Sequence, residues 1–431
     1  MPSSPRKRRI VITGYGMITP SGRNSKDTFH NCCRGVSGID YIKSFDTTGL
    51  PCQIGGEVDN NWIEDYESRS DQRLRKFTSR GLRMMRIATE EATKRARLDE
   101  IGNRGSIGIA LGSHGDNPSV QDVSFINRFF CDDGTWDMKA LTESGGYPYL
   151  QFFRRKPDAA STTLATLFDC KGPNLAIVSA CAAGAHAIGE AAQIIRDGKC
   201  DVMIAGGCEA TLDFVGVVGF IMLQALCEKY ASPQTASRPF DRKRNGFVMS
   251  EGAGAVVLEE LEHARSRGAV ILGELLGYAS SADAYRITDT HPKGLGAIIA
   301  MNGAITDAAL TVEDIDYINA HGTSTTQNDL TETRAVKTVF GERAATIPIS
   351  SNKSMLGHTI AAAGAIECIL TIMGMDQSII LPTINYESRD PKCNLDYVPN
   401  EARHRDYRVA ISNSFGFGGQ NACLCLGKFE T

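Results

Sequence analysis

The sequence predicts an α/β fold made of two related halves, and three observations carry that expectation. Short β-branched runs alternate with longer Ala-rich segments of helical period, the pattern of a parallel sheet covered by helices. The strand-like runs fall into two series of five, at 9–13, 106–111, 175–179, 201–205 and 254–259, then at 270–276, 316–320, 347–350, 408–412 and 422–426. The two series also share landmarks in the same order. Each first strand leads into a Gly-Tyr pair, Gly14-Tyr15 and Gly277-Tyr278. Each third strand leads into a small-residue turn and a helix containing Ala-Ala-Gly-Ala, at 182–185 and 362–365. The halves, 1–265 and 266–431, are expected to pack as one unit, since no linker or low-complexity stretch separates them. Residues 113–165 fit neither series and read as an insertion that shapes a pocket or a dimer contact.

Composition narrows the class. Hydrophobic residues make up 42% of 431 and charged residues 22%, as in ordinary globular proteins. A net charge of −4 supplies no general field for nucleic acid or an anionic membrane. The apolar stretch at 214–223 (FVGVVGFIML) is well short of the roughly 18 residues of a membrane span. It reads as buried core or a pocket wall. Thirteen irregularly spaced cysteines, with no CxxC pair and no secretory leader, are expected to be reduced thiols in a cytoplasmic protein. The basic start, MPSSPRKRR, reads as a solvated tail.

Four strand ends carry candidate chemistry. Cys181 follows the 175–179 run, read as a buried strand, and precedes a helix from Ala182 to Arg196 that Gly198 ends. The positive end of that helix favours thiolate, where a free cysteine at pH 7 is only ~3% ionised. A buried structural cysteine is the alternative. His321 follows the 316–320 run, and His358 closes the segment after 347–350. Strand ends are where α/β folds place ligands. If the halves are pseudo-symmetric, Cys181 and His358 occupy corresponding turns facing each other across the seam. The last signal is Phe415-Gly416-Phe417-Gly418-Gly419, whose backbone N–H groups could receive an oxyanion or simply form a tight turn.

Other chemistries find less support. No GxxxxGK[ST], HExxH or GxSxG motif is present, and Gly14-Tyr15-Gly16 lacks the third glycine of a dinucleotide site. Ser350-x-x-Lys353 has no SDN or KTG companion. Cys181, His321 and His358 could ligate zinc, but their spacing does not favour it over acid–base chemistry.

Taken in order, SACAAG around Cys181, ASRPFDRKRNGFVMSEGAG (236–254), HGTSTTQND (321–329), SSNKSMLGH (350–358) and SNSFGFGG (412–419) resemble the elongating β-ketoacyl-acyl-carrier-protein synthases, type II. The resemblance spans nearly the whole chain. It implies a thiolase-like fold, two duplicated halves in five αβαβα layers, and a homodimer or a heterodimer with a paralogue. It implies an acyltransferase that performs decarboxylative Claisen condensation, extending a Cys181-bound acyl chain by two carbons from malonyl-carrier protein. The substrates ride on 4′-phosphopantetheine of the carrier, with no resident cofactor or metal. On this resemblance His321 and His358 hydrogen-bond the enolate, and the N–H groups of Cys181 and Phe417 form the oxyanion hole. Lys353 pairs with Glu332, Thr323 and Thr325 hold the pantetheine arm, and Phe417 gates a pocket bordered by Phe415 and Gly418. A basic patch at Arg69, Arg73 and Lys76 docks the acidic carrier. Ala183, Ser250, Arg286 and Gln420 depart from the usual pattern and leave the acyl group, and hence a fatty-acid or a polyketide or polyene route, open. The rivals are a non-catalytic chain-length-factor-like subunit, which would lack the cysteine, and a thiolase, which needs a second cysteine near the C-terminus. Cys423 and Cys425 read instead as core residues on a strand.

Overall fold

A computed structural model describes residues 8–69, 78–145, 150–286 and 290–430. Its framework is ten strands in two sets of five. The first set is β1 (Ile10–Ile18), β2 (Ile107–Gly112), β3 (Asn174–Ile177), β4 (Val202–Glu209) and β5 (Gly252–Glu260). The second is β6 (Gly273–Ala282), β7 (Tyr317–Asn319), β8 (Ile349–Ser350), β9 (Val409–Phe415) and β10 (Gln420–Gly427). The first set lies in the order β1-β5-β4-β2-β3 and the second in the order β6-β10-β9-β7-β8, the same permutation of the chain. Strand directions repeat as well. The first two pairings of each set are antiparallel and the last two parallel. A short antiparallel contact, Ile10 to Leu275 through Ile12 to Gly273, joins the sets into one ladder.

Helices cover these strands in five layers. The helix α1 (Arg80–Arg95) buries Leu82, Met85, Ala88 and Ala92 on the outer side of β1 and β5, and α2 (Ala159–Leu167) lies on β2 and β3. In the middle layer, α3 (Ala183–Arg196) packs on β2 and β4, and α7 (Ala363–Gln377) packs on β5 and β9. On the far side α5 (Leu295–Asp307) covers β6 and β10, with α6 (Thr326–Phe340) beside it. The helix α7 is apolar almost all round, as a helix between two sheets must be. Residues 360–377 are long and apolar enough to cross a membrane, yet 89% of that stretch is buried inside the protein.

Glycines at matching positions let the layers close. A Cβ on Gly14 would sit 2.1 Å from the Ala92 carbonyl of α1, and one on Gly277 2.2 Å from the Ala304 carbonyl of α5. In the middle layer, a Cβ on Gly184 would meet the Ala361 carbonyl at 2.7 Å, and one on Gly364 the Ala185 nitrogen at 2.8 Å. The landmarks shared by the two series are therefore contact points of helix on strand and helix on helix.

Four expectations change. The Gly-Tyr pairs lie inside β1 and β6, not after them, because the glycines serve helix packing. The 175–179 run is an edge strand with alternate residues exposed, since no strand lies beyond β3 among the described residues. The 214–223 stretch is not core: it forms α4 (Phe214–Met222), which buries Val217 and leaves Met222 78% exposed, while Phe220 and Leu223 keep its reading as a pocket wall. One face of α4 meets the rest of the fold; nothing among the described residues covers the other. The described part of 113–158 forms short helices at 120–127, 138–143 and 150–154 before α2 and leaves Val123, Trp136 and Phe153 exposed.

Candidate active site

The two central helices bring the site together. Cys181 sits in a single 3₁₀ turn between β3 and α3, with Ala180 before it at φ +46°. In the second half Ile360 holds the equivalent place before α7, at φ +42°. Non-glycine residues at such angles store roughly 1–3 kcal/mol of strain. Cys181 thus corresponds to Ala361, while His358 lies three residues earlier in the matching turn, and the two turns touch across the seam. His321 arrives from the end of β7 and Phe415 from the end of β9.

Cys181, His321 and His358 are all buried. The cysteine sulfur and one nitrogen from each imidazole lie within 4.8 Å of one another. The imidazoles meet edge to face, their ring centres 5.3 Å apart. His358 Nδ1 accepts the Ile360 N–H at 3.3 Å, so its proton resides on Nε2. That Nε2, and Nδ1 of His321, are buried with no partner among the described residues.

Burial and the Lys353 ammonium both push the two imidazoles well below the ordinary histidine value, and His358 adds to the effect on His321. Both rings are neutral at pH 7. Burial also pushes the Cys181 thiol up to about 11, although Lys353 and the backbone N–H groups of Phe417 and Cys181 favour its thiolate. Desolvation outweighs the start of α3, so the expectation of a resting thiolate is corrected to a thiol. The same two N–H groups, aimed at the sulfur, are the donors expected to form the oxyanion hole.

The expected pairing of Lys353 with Glu332 does not form. Lys353 Nζ meets Glu367 Oε1 at 2.5 Å, both side chains being 3% exposed. Glu332 instead accepts the N–H groups of His321 and Gly322, each at 2.8 Å, and the Asn413 amide at 3.2 Å. It lies on α6 beneath the His321 turn, whereas Glu367 projects from the central helix that Lys353 faces. Burial raises the Glu367 carboxyl to about 7, opposed by Lys353. The lysine is thus a fixed positive charge under the histidines. A cation there opposes a bound dication, so the three ligand-type atoms suit proton and hydrogen-bond chemistry better than a metal.

Two connected spaces lead to the sulfur. The inner pocket is lined by Cys181, His321, His358, Thr323, Phe247 and Phe415, among others. An outer vestibule of about 380 Å³ is lined by Leu223, Asn245, Gly246 and residues 325–328. Thr290, Thr325, Asn328 and Phe417 belong to both. Phe417, 37% exposed, rises between them against Phe220 from a hairpin turn that joins β9 to β10. Gly416 N–H to Gln420 and Gly419 N–H to Gly416 close that turn at 2.7 and 3.0 Å, and Gly418 holds φ +82°. Thr323 and Thr325 share a hydrogen bond at 3.0 Å, and Thr325 also caps α6.

The structure gathers most of the residues picked from sequence and leaves others apart. None of the described residues of 113–165 lines the pocket or the vestibule. Arg69 is exposed and pairs with Asp65, while Arg73 and Lys76 lie outside the described residues. Cys423 and Cys425 are buried in β10 with their thiols raised by desolvation, away from the pocket lining. Sequence reasoning missed Glu367, Phe247, Thr290 and Asn328, whereas Phe220 fell in the stretch read as a pocket wall. Asn328 stands inside the quoted HGTSTTQND segment and Phe247 inside 236–254, so their signal was present. Glu367 had none beyond being an acid in an apolar helix.

A duplicated, thiolase-like fold with a cysteine and two neutral histidines at its seam defines the class of the condensing enzymes. The chain belongs to the β-ketoacyl synthase family: the family's N-terminal domain matches residues 7–264 and its C-terminal domain residues 272–387. It is similar to 3-oxoacyl-[acyl-carrier-protein] synthase 2 of Staphylococcus aureus (strain N315), 40% identical over 429 residues and 99% of each chain. Among solved structures it is similar to a type II polyketide ketosynthase, bound to the hexaketide and in complex with its acyl-carrier protein. That likeness has TM-score 0.85 and 32% identity, covering 99% of this chain and 100% of the other. The ishigamide ketosynthase/chain length factor matches with TM-score 0.85 and 32% identity over 98% of this chain and 100% of that one.

Proposed function

We propose that the protein is a β-ketoacyl-acyl-carrier-protein synthase that condenses a carrier-borne malonyl unit onto an acyl group held by Cys181. The observation that carries this is the buried thiol within 4.8 Å of two imidazole nitrogens, at the end of a passage that Phe417 divides. In the first step Cys181 loses its proton and its sulfur attacks the thioester carbonyl. The carbon–sulfur bond to pantetheine breaks, and the departing thiol takes the proton. The N–H groups of Phe417 and Cys181 receive the transient oxyanion. In the second step the malonyl carboxylate leaves as carbon dioxide, and its bonding electrons pass to an enolate. Neutral His321 and His358 donate hydrogen bonds to the enolate oxygen. The enolate carbon attacks the Cys181 thioester, whose carbon–sulfur bond breaks, and the released thiolate takes a proton from water to restore the cysteine. No step needs a resident cofactor. Thr323 and Thr325 sit where the pantetheine arm passes, and Lys353–Glu367 fixes the charge beneath the rings. The enzyme is placed in the cytoplasm by the character of its family, and α7 serves as a buried central helix and not as a span.

The roles separate in single-turnover assays. Cys181→Ala is expected to abolish acyl loading, whereas His321→Ala and His358→Ala load Cys181 yet lose decarboxylation by about 10²–10⁴-fold. Gly418→Val, strained at φ +82°, slows loading by stiffening the turn under Phe417. Folded histidine variants that release carbon dioxide at the native rate would refute this assignment.

A further inference from the structure

We infer that a second basic surface, formed by Arg242, Lys243, Arg389 and Lys392 on the rim of the vestibule, docks the acidic face of the carrier protein. This rests on the activity proposed above and names the partner surface of that same site. Two loops build it. Arg242 N–H donates to the Ser388 carbonyl at 2.8 Å, and Asp241 bridges to Arg389. Buried Asp241 accepts the N–H groups of Glu387 and Ser388 at 2.8 and 2.6 Å, which locks the loops side by side.

The same segment forms the lip of the passage. Asn245 and Gly246 line the vestibule, and the buried Arg244 guanidinium reaches the Thr325 and Thr326 carbonyls at 3.3 Å each. Arg244 also pairs with Asp390 at 2.7 Å, and Asp390 in turn accepts the Lys392 N–H at 2.9 Å. Any group held on these loops is therefore fixed relative to the mouth.

Charge is unbalanced here. Arg242, Lys243, Arg389 and Lys392 are all exposed, and none makes an ion pair among the described residues. The acids between them are already engaged: Glu387 and Asp241 with Arg238, and Asp390 with Arg244. The neighbouring Glu228 and Lys229 cancel one another. Four free cations beside a passage that must receive a thioester arm would draw in an anionic partner and orient it, mainly through faster association. The carrier is the partner that must come to this mouth, and its expected acidity matches the rim.

Two charge reversals test this, Arg242→Glu with Lys243→Glu, and Arg389→Glu with Lys392→Glu, beside Arg69→Glu. Cys181 loading is measured from an acyl-carrier protein and from an acyl-pantetheine thioester. Each double variant is expected to raise the apparent KM for the carrier about tenfold at low salt. The difference should fade near about 0.5 M salt, with pantetheine loading unchanged. An unchanged carrier KM in both double variants overturns the proposal, as does an equal loss with both substrates. Failure of wild-type Cys181 to load from the pantetheine thioester is a distinct result that overturns the activity itself, and this surface with it.

Discussion

At the scale of single residues, Cys181 is held between opposing influences. The start of α3, Lys353 and two N–H groups favour its thiolate; complete burial opposes them and leaves the thiol near about 11. Ionisation of such a group rises tenfold per pH unit below its pKa, so reactivity should climb steadily with pH. Alkylation of Cys181 by iodoacetamide is expected to increase with unit slope from pH 6 to 9 without levelling. A plateau by pH 8 would show that the helix and Lys353 prevail over desolvation. The sequence made the cysteine and both histidines legible, because each ends a strand beside a small-residue turn. It misplaced the partner of Lys353, since Glu332 and Glu367 are both acids in helices of the second half. Only the fold shows that Glu367 lies across the central layer from the lysine, with Glu332 under the His321 backbone.

Among the elements, the duplication was legible in the Gly-Tyr and Ala-Ala-Gly-Ala landmarks, although their purpose was not. A glycine inside a strand reads as a turn until the helix it admits is known, as with Gly14 beneath Ala92. The strand β3 was read as buried for a comparable reason. Its apolar residues suit a covered strand, yet it ends the sheet with one edge unpaired. Beside it Val178 is 54% exposed, and Phe152 and Phe153 of the inserted region are exposed too. An open edge flanked by apolar side chains is a site for pairing with another chain. A homodimer with β3 of each copy at the interface is the expected outcome of such an edge. Sedimentation of the wild type should give twice the chain mass, and Val178→Asp should shift it toward one. A wild-type monomer at micromolar concentration, or a Val178→Asp dimer of undiminished stability, would place the interface elsewhere or remove it. A paralogue in place of the second copy would appear as a heterodimer under the same measurement.

For the whole molecule, one connection that differs between the two halves makes the site. Between β4 and β5 the chain takes a long path through α4 and the 236–246 loop; between β9 and β10 it takes a four-residue hairpin turn. The long connection contributes Phe220, Phe247 and the vestibule lip, and the short one carries Phe417. Symmetry supplies the paired turns, and asymmetry supplies the passage between them. The sequence displayed the symmetry through its landmarks. Single parts of the passage were legible, Phe417 as a gate and 214–223 as a wall, but its course was not, because its walls come from segments scattered along the chain. The central claim, that Cys181 carries an acyl group between two carrier-borne substrates, is tested most directly by intact-protein mass spectrometry. After incubation with an acyl-carrier protein, the chain is expected to gain the mass of one acyl group, localised to the Cys181 peptide. Malonyl-carrier protein should then discharge it, with the extended product appearing on the carrier. No adduct, an adduct retained in the Cys181→Ala protein, or one that malonyl-carrier protein leaves in place would contradict the account.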